Sequence, residues 1–354
     1  MNERIAVVGA GAVGGYLGAQ LARLGADVVL IDPWPEHVET IRTHGLRLTG
    51  MTPAESHIVQ VETMHLTEVQ SLSRRGTIDI AIIAAKSYDT AWATTLIEPH
   101  LSPTGYVVSA QNSINEETIA AIVGWGRAVG CVVANNLALD LVAPGDVRRT
   151  MLRHPDVVSL FLGEVHGRIT PRLERLNALF SMFDVAQTTT NLWGERWSKL
   201  CVNGMRNAVS AATGMSGNAR DSDDFVRGVV VRLACEAVRI GKALGYDLGP
   251  IAGIEPSAFL AAAEGDAEVL FAIDQQILAG TKSGSRSALQ RPSMAQDIAK
   301  GRRTEIGHIN GLIARRGREI GCPVPTHERL TDIVQRVERG EIEARPENLL
   351  DIHA

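Results

Sequence analysis

The chain of 354 residues has only four cysteines, Cys131, Cys201, Cys235 and Cys322, far apart and with no CxxC or Cys/His spacing. That excludes a zinc site of the usual kind and a disulfide framework, and it suits a reducing compartment. No uninterrupted apolar run is long enough to span a bilayer. Glu3 and Arg4 stand directly before a strand-like run and leave no room for a signal peptide, so a cytoplasmic protein is expected. A basic surface is also missing. With a net charge of -5 and a pI near 6.1, the chain is a poor candidate for nucleic acid, whose binders displace counterions with clustered Lys and Arg. Repeats, low-complexity tracts, charge blocks and long exposed apolar helix faces are absent too, which argues against a partner-binding scaffold. A small-molecule ligand is the expectation that survives.

The composition, 45% hydrophobic and 21% charged, is that of a globular protein. The length exceeds what one core serves, so two domains are expected. In the first half, Arg4–Val8, Ala26–Ile31, Ile78–Ala84, Tyr106–Ala110 and Ala128–Ala134 read as continuous apolar strands, the pattern of a parallel sheet covered on both faces. Helical periods at 16–24, 36–44 and 116–123 alternate with them, giving a doubly wound α/β domain over 1–188. From about Thr170 the period becomes helical: 171–183, 193–212, 224–244, 256–279, 293–317 and 326–338 read as helices. A second, all-α domain is therefore expected over 189–354, with the run 187–191 either closing a last strand or serving as a hinge. The apolar half of 224–244 could supply a face for a homodimer.

Gly9, Gly11 and Gly14, with Ala12 and Val13 between them, form GxGxxG between a strand and a helix, the context in which that motif signifies dinucleotide binding. The first glycine permits the turn, the second lets the backbone approach a pyrophosphate, the third lets the helix pack on the strand, and the helix N-terminus offers its N–H groups to the phosphates. Asp32 ends the second strand where a carboxylate meets the ribose hydroxyls. It would repel a 2′-phosphate, and Pro33, Trp34, Pro35 and Glu36 add no cation, so NAD is favoured over NADP. Two alternatives stay open: Asp32 as the cap of the next helix, and Arg42 folding back to accept NADP.

Lys86 and Asn112 follow strands at the edge where a nicotinamide would lie, although either could be an ordinary loop residue. Lys199, Asn203 and Asn207 recur every four residues and share one helix face. Two carboxamides beside an ammonium can orient a carbonyl substrate and protonate the alkoxide formed as hydride arrives; the plainer reading is a solvated polar stripe. Ser293 either caps the helix it opens or donates to a substrate carboxylate. Glu305, among Arg302, Arg303 and His308, either takes part in the site or sits in an exposed ion pair.

These motifs together resemble the ketopantoate reductase family. The resemblance is carried by GAGAVGG, Lys86, Gln111-Asn112, WxKLxxNxxxN over 197–207 and SMxxDxxxGRxTEIxxING over 293–311, in the family's order along nearly the whole chain. It implies a Rossmann domain, a helical domain of the 6-phosphogluconate dehydrogenase-like type, and the interconversion of a 2-oxo acid and a 2-hydroxy acid. By the same analogy Lys199 is the general acid, and Asn112 and Glu305 belong to the catalytic set. Asn203, Asn207 and Ser293 hold the substrate, and Lys86 lines the cofactor site. The chain departs from the pattern at Asp32, at Ser113-Ile114-Asn115-Glu116 after the QN pair, and in a longer stretch between Gly214 and Arg291, where 215–224 and 280–291 read as polar flaps. The departures touch the substrate more than the reaction. Two other readings remain: an NAD-dependent dehydrogenase oxidising a bulkier hydroxy substrate, with Lys199 as base, and a dinucleotide sensor without turnover.

Overall fold

A computed structural model describes residues 3–282 and 291–352. They form two compact units, Met1–Leu192 and Trp193–Ala354.

Unit 1 is built on an eight-stranded sheet. Its strands are β1 (Arg4–Val8), β2 (Asp27–Asp32), β5 (Glu62–His65), β6 (Ile78–Ile83), β7 (Leu101–Ser109), β8 (Ala128–Val133), β11 (Leu160–Glu164) and β12 (Ala186–Thr189), and the spatial order is β12-β11-β8-β7-β6-β1-β2-β5. Neighbours from β5 to β8 run parallel, while β11 pairs antiparallel with β8. Each face has its own core, because alternate side chains of one strand point opposite ways. Ile5 and Val7 face helices α1 (Ala12–Arg23) and α5 (Pro171–Ser181), whereas Ala6 and Val8 face α3 (Thr90–Ile97) and α4 (Glu116–Val123). Two-sided burial explains why β1, β2, β6 and β8 read as unbroken apolar runs. Helix α2 (Pro35–His44) follows β2. The sequence fails to announce a second, four-stranded sheet, ordered β4-β3-β10-β9, from β3 (Leu46–Thr49), β4 (His57–Val59), β9 (Leu139–Ala143) and β10 (Asp146–Arg149). These strands are three to five residues long and mixed in polarity, too short for a period to show.

The small sheet is anchored by a buried ion pair. Arg149 on β10 reaches Asp184 Oδ2 at 2.8 Å, and Tyr16 of α1 donates its hydroxyl to the same oxygen at 2.9 Å. Burial and Asp184 together push the Tyr16 phenol well above its ordinary value, so it stays a donor.

Unit 2 is helical among its described residues: α6 (Leu192–Thr213), α7 (Gly217–Ser222), α8 (Asp224–Ala243), α9 (Pro256–Ala263), α10 (Ala267–Ala279), α11 (Ser293–Ala299), α12 (Asn310–Glu319) and α13 (Pro325–Glu338). Three expectations change. The helix over 256–279 breaks at Gly265, φ +98°, after which Asp266 caps α10 by accepting from Glu268 and Val269 N–H. The helix over 293–317 becomes α11 and α12. The segment 215–224 is no polar flap: it carries α7, and its Arg220 and Asp221 are buried and paired at 2.7 Å. Of 280–291, residues 283–290 lie outside the described residues. The apolar side of α8, expected to offer a dimer face, is covered within the unit by α9, α10, α12 and α13. Among the described residues no helix is long and apolar enough to cross a membrane.

Removing one partner of a buried pair strands the other charge. Arg149→Met is expected to lower the unfolding free energy of unit 1 by about 3–5 kcal/mol in urea titration; a loss below about 1 kcal/mol would show that the pair does not hold the small sheet.

Candidate active site

The glycine loop lies at the carboxyl end of β1, where the strand order turns in opposite directions toward β2 and β6, the switch point at which open α/β sheets take ligands. Gly9 has φ +93°, and a Cβ there would meet Ala85 N at 2.7 Å. A Cβ on Gly14 would stand 1.9 Å from the Gly9 carbonyl oxygen, whereas one on Gly11 would meet nothing within 4 Å. The loop is thus packed tightly on its inner side and open at Gly11. Helix α1 starts at Ala12 with no side-chain cap on Gly11 and no acidic residue in its first turn. Its first N–H groups, those of Ala12, Val13 and Gly14, are therefore suited to an anion. A dinucleotide pyrophosphate fits this cradle.

Asp32 is buried at 8% exposure, and both carboxylate oxygens accept backbone N–H groups, Oδ2 from Ala10 at 2.8 Å and Oδ1 from Trp34 at 2.9 Å. It does not cap α2, which starts at Pro35 without a side-chain cap. Arg42 is directed to the Thr63 carbonyl at 2.9 Å and to Glu39 and Glu68, which is where its charge is spent.

Lys86 and Asn112, each half-buried, leave β6 and β7 side by side. Their loops are stitched together: Gln111 Nε2 donates to the Ala85 carbonyl at 2.9 Å, Ser87 Oγ to the Asn112 carbonyl at 3.1 Å, and Asn115 Nδ2 to that same carbonyl at 2.7 Å. Ser113, buried, adopts φ +69°. The chain thus makes with serine a left-handed turn that glycine makes without strain.

In unit 2, α6 carries Lys199, Asn203 and Asn207 at helical spacing, with Asn203 buried and the other two half-buried. Burial, followed by the Arg206 guanidinium two turns along, lowers the Lys199 ammonium from its ordinary 10.5 to about 7. Asn207 Nδ2 donates to Ser293 Oγ at 3.3 Å, so two residues 86 positions apart meet. Ser293 does not cap α11, whose N-cap is Pro292 without a side-chain bond. Glu305 is buried at 4% exposure, which rules out an exposed ion pair. The loop before it is fixed by Glu338, which accepts from Thr304 N–H and Oγ1 at 2.8 and 2.6 Å.

Asn310 and His327 were not singled out by chemistry in the sequence, yet they hold α6. Asn310 Nδ2 donates to the Gly204 carbonyl at 3.0 Å and to His327 Nδ1 at 3.0 Å. His327 Nε2 donates to the Leu233 carbonyl at 2.9 Å, and burial lowers this imidazole to about 4, so it is neutral. Among the described residues no cluster of three His, Cys, Asp or Glu is arranged to hold a metal ion.

Residues 5–158 match the ketopantoate reductase PanE/ApbA family, and 191–338 match its C-terminal part. The chain belongs to the ketopantoate reductase family. A 2-dehydropantoate 2-reductase of Pyrococcus horikoshii is 28% identical over 95% of this chain and 97% of its own. A crystal structure of a PanE/ApbA family ketopantoate reductase from Ralstonia eutropha JMP134 superposes with TM-score 0.75 at 29% identity, covering 96% of this chain and 99% of that one. The fold is shared as well with a D-mandelate dehydrogenase solved with NADH and anilino(oxo)acetate, TM-score 0.77, 22% identity, 95% and 98% coverage. Family membership establishes the Rossmann domain followed by a helical domain.

The Ser113 turn yields a test specific to this ketopantoate reductase relative. Ser113→Gly is expected to keep or raise the melting temperature, while Ser113→Val, β-branched at positive φ, lowers stability by about 1–2 kcal/mol. Equal melting temperatures for the two variants would mean that the turn is not left-handed in solution.

Proposed function

We propose that the protein is a nicotinamide-dependent oxidoreductase that interconverts a 2-oxo acid and a 2-hydroxy acid, with Lys199 as the general acid in reduction and the general base in oxidation. The observation that carries this reading is the α6 stripe: one ammonium brought to about 7, followed by two carboxamides on the same face, the second bonded to Ser293. Family membership supports the reaction class.

Unit 1 would hold the dinucleotide, its pyrophosphate at the first turn of α1, its nicotinamide end near Lys86 and Asn112. When bound, the nicotinamide supplies or accepts the hydride, while the protein supplies alignment and charge. In unit 2, Ser293 donates to the substrate carboxylate, Asn203 and Asn207 orient the carbonyl, and Glu305 completes the polar wall. Lys199 Nζ gives its proton to the substrate oxygen as negative charge develops there. In oxidation the neutral amine takes that proton back. A lysine near 7 serves both directions, because neither protonation state is rare at neutral pH.

NAD is the proposed dinucleotide. The Asp32 carboxylate disfavours a 2′-phosphate beside it, and Arg42, the nearest candidate to receive one, is already committed to Glu39 and Glu68. The substrate is proposed only as a class, 2-oxo acids including ketopantoate and larger or aromatic relatives.

The test follows the reduced nicotinamide absorbance with NADH and NADPH across that panel. Turnover with NADH above NADPH is expected, with kcat/KM for reduction falling as pH rises through about 7 and for oxidation rising over the same window, since reduction needs the protonated amine and oxidation the neutral one. Lys199→Ala should lower kcat by roughly 10²–10⁴ with little change in dinucleotide affinity. Absence of turnover with every 2-oxo acid, in a protein that binds NADH, would leave a dinucleotide sensor as the better reading.

A further inference from the structure

Ala10, at the centre of the glycine loop, is held through both of its flanking peptides. Its N–H donates to Asp32 Oδ2 at 2.8 Å, and its carbonyl accepts from His37 Nε2 at 2.9 Å. His37 is fully buried on α2, and its other ring nitrogen accepts the N–H of Gly145 at 2.9 Å, 108 positions along the chain. These partners fix the tautomer. A carbonyl only accepts, so Nε2 carries the proton; an N–H only donates, so Nδ1 is bare. Trp34 stacks on the imidazole, ring centroids 5.7 Å apart and planes inclined by 15°, and its own N–H is held by Asp32 Oδ1 at 2.9 Å.

Gly145 forms the turn between β9 and β10. Its φ is +70°, a Cβ there would meet Thr40 Cγ2 of α2 at 2.7 Å, and its carbonyl accepts the N–H of Arg47 on β3 at 2.8 Å. The turn is therefore seated on α2 and on the small sheet at once. A chain of hydrogen bonds runs from the small sheet through one imidazole to the peptide that precedes Gly11 and the first turn of α1.

Filling space at position 37 would need only an apolar side chain, and a buried imidazole carries a desolvation cost that its two bonds must offset. What the imidazole adds is direction, since it sets the plane of the Ala10–Gly11 peptide and so the aim of the N–H groups that follow it.

We propose that His37 is a positioning residue of the dinucleotide site, and that through Gly145 it makes the β9–β10 turn a working part of that site. This rests on the reading of unit 1 as the dinucleotide-binding unit. It assigns the segment 32–37 a second task beside any role of Asp32 at the ribose: Asp32 and His37 hold the two successive peptides on either side of Ala10, and the effect of that hold is the same for NAD and NADP.

The full-length apoprotein is titrated with NADH and with NADPH, following nicotinamide fluorescence, as wild type, His37→Phe and His37→Gln. Phenylalanine keeps a ring beneath Trp34 and loses both hydrogen bonds; the glutamine amide can donate to the Ala10 carbonyl and accept from Gly145. His37→Phe is expected to raise both dissociation constants by the same factor, roughly tenfold, with kcat at saturating dinucleotide little changed, and His37→Gln to recover most of the loss. Unchanged dissociation constants in a folded His37→Phe protein overturn the proposal, as does a loss that glutamine does not rescue. Should His37→Phe fail to fold, hydrogen exchange on the wild type decides: saturating NADH slows exchange at Ala10 and Gly145 together, and an unaffected Gly145 overturns the coupling. A wild type that binds neither dinucleotide removes the proposed function along with this inference. Binding by the wild type with no effect of the variant removes this inference alone.

Discussion

A Cβ on residue 14 would stand 1.9 Å from the carbonyl oxygen of Gly9. No side chain fits there, so α1 can rise from β1 at this angle only with glycine at 14. Everything at that end of unit 1 depends on this close approach. It brings the first turn of α1 up to the carboxyl ends of β1 and β6, and it leaves the Gly11 side of the loop open. Ala10 then spans the turn with its N–H donated to Asp32 at the end of β2 and its carbonyl accepting from His37 of α2. The loop before the first turn of α1 is thus backbone set by sterics and held by two side chains.

Unit 2 carries on α6 an amine, Lys199, that burial lowers to about 7. The chain has five lysines, Lys86, Lys199, Lys242, Lys282 and Lys300, among 35 basic residues. Lys86 stands in unit 1 and Lys199 in unit 2. An arginine cannot give up its proton near neutral pH, whereas a lysine shifts readily when desolvated. Among the described residues, three buried arginines stand in ion pairs, Arg149 with Asp184, Arg220 with Asp221 and Arg227 with Asp274. The rigid support of α6, through Gly204, Asn310 and the neutral His327, keeps that amine on the same face as Asn203 and Asn207.

How much of this could be read from the residues depended on how local the cause was. β1, β2, β6 and β8 were legible because burial on both faces writes an unbroken apolar run. The α6 stripe was legible because a four-residue spacing is one helix face. The break at Gly265-Asp266 carried a local signal too, a positive-φ glycine and a capping aspartate, which the strong period of 256–279 concealed. The small sheet was not legible, since β3, β4, β9 and β10 are too short for a pattern and gain their stability from one another. Nor were His37 and Gly145, whose contact joins positions 108 apart, or the pairing of Asn207 with Ser293. The residues around Ser293 and Glu305 left each with two readings, and only the fold showed that Ser293 does not cap α11 and that Glu305 is buried.

The account turns on the titration of one amine, and the small number of lysines makes it directly measurable. With the lysine side chains isotopically labelled, an NMR pH titration of the apoprotein, assigned by comparison with a Lys199→Arg variant, reports the Lys199 Nζ midpoint by itself. A midpoint near 7 is the predicted result. A midpoint near the ordinary 10.5 would contradict it: the α6 stripe would then be a solvated polar face, and Lys199 would not be the group that moves the proton.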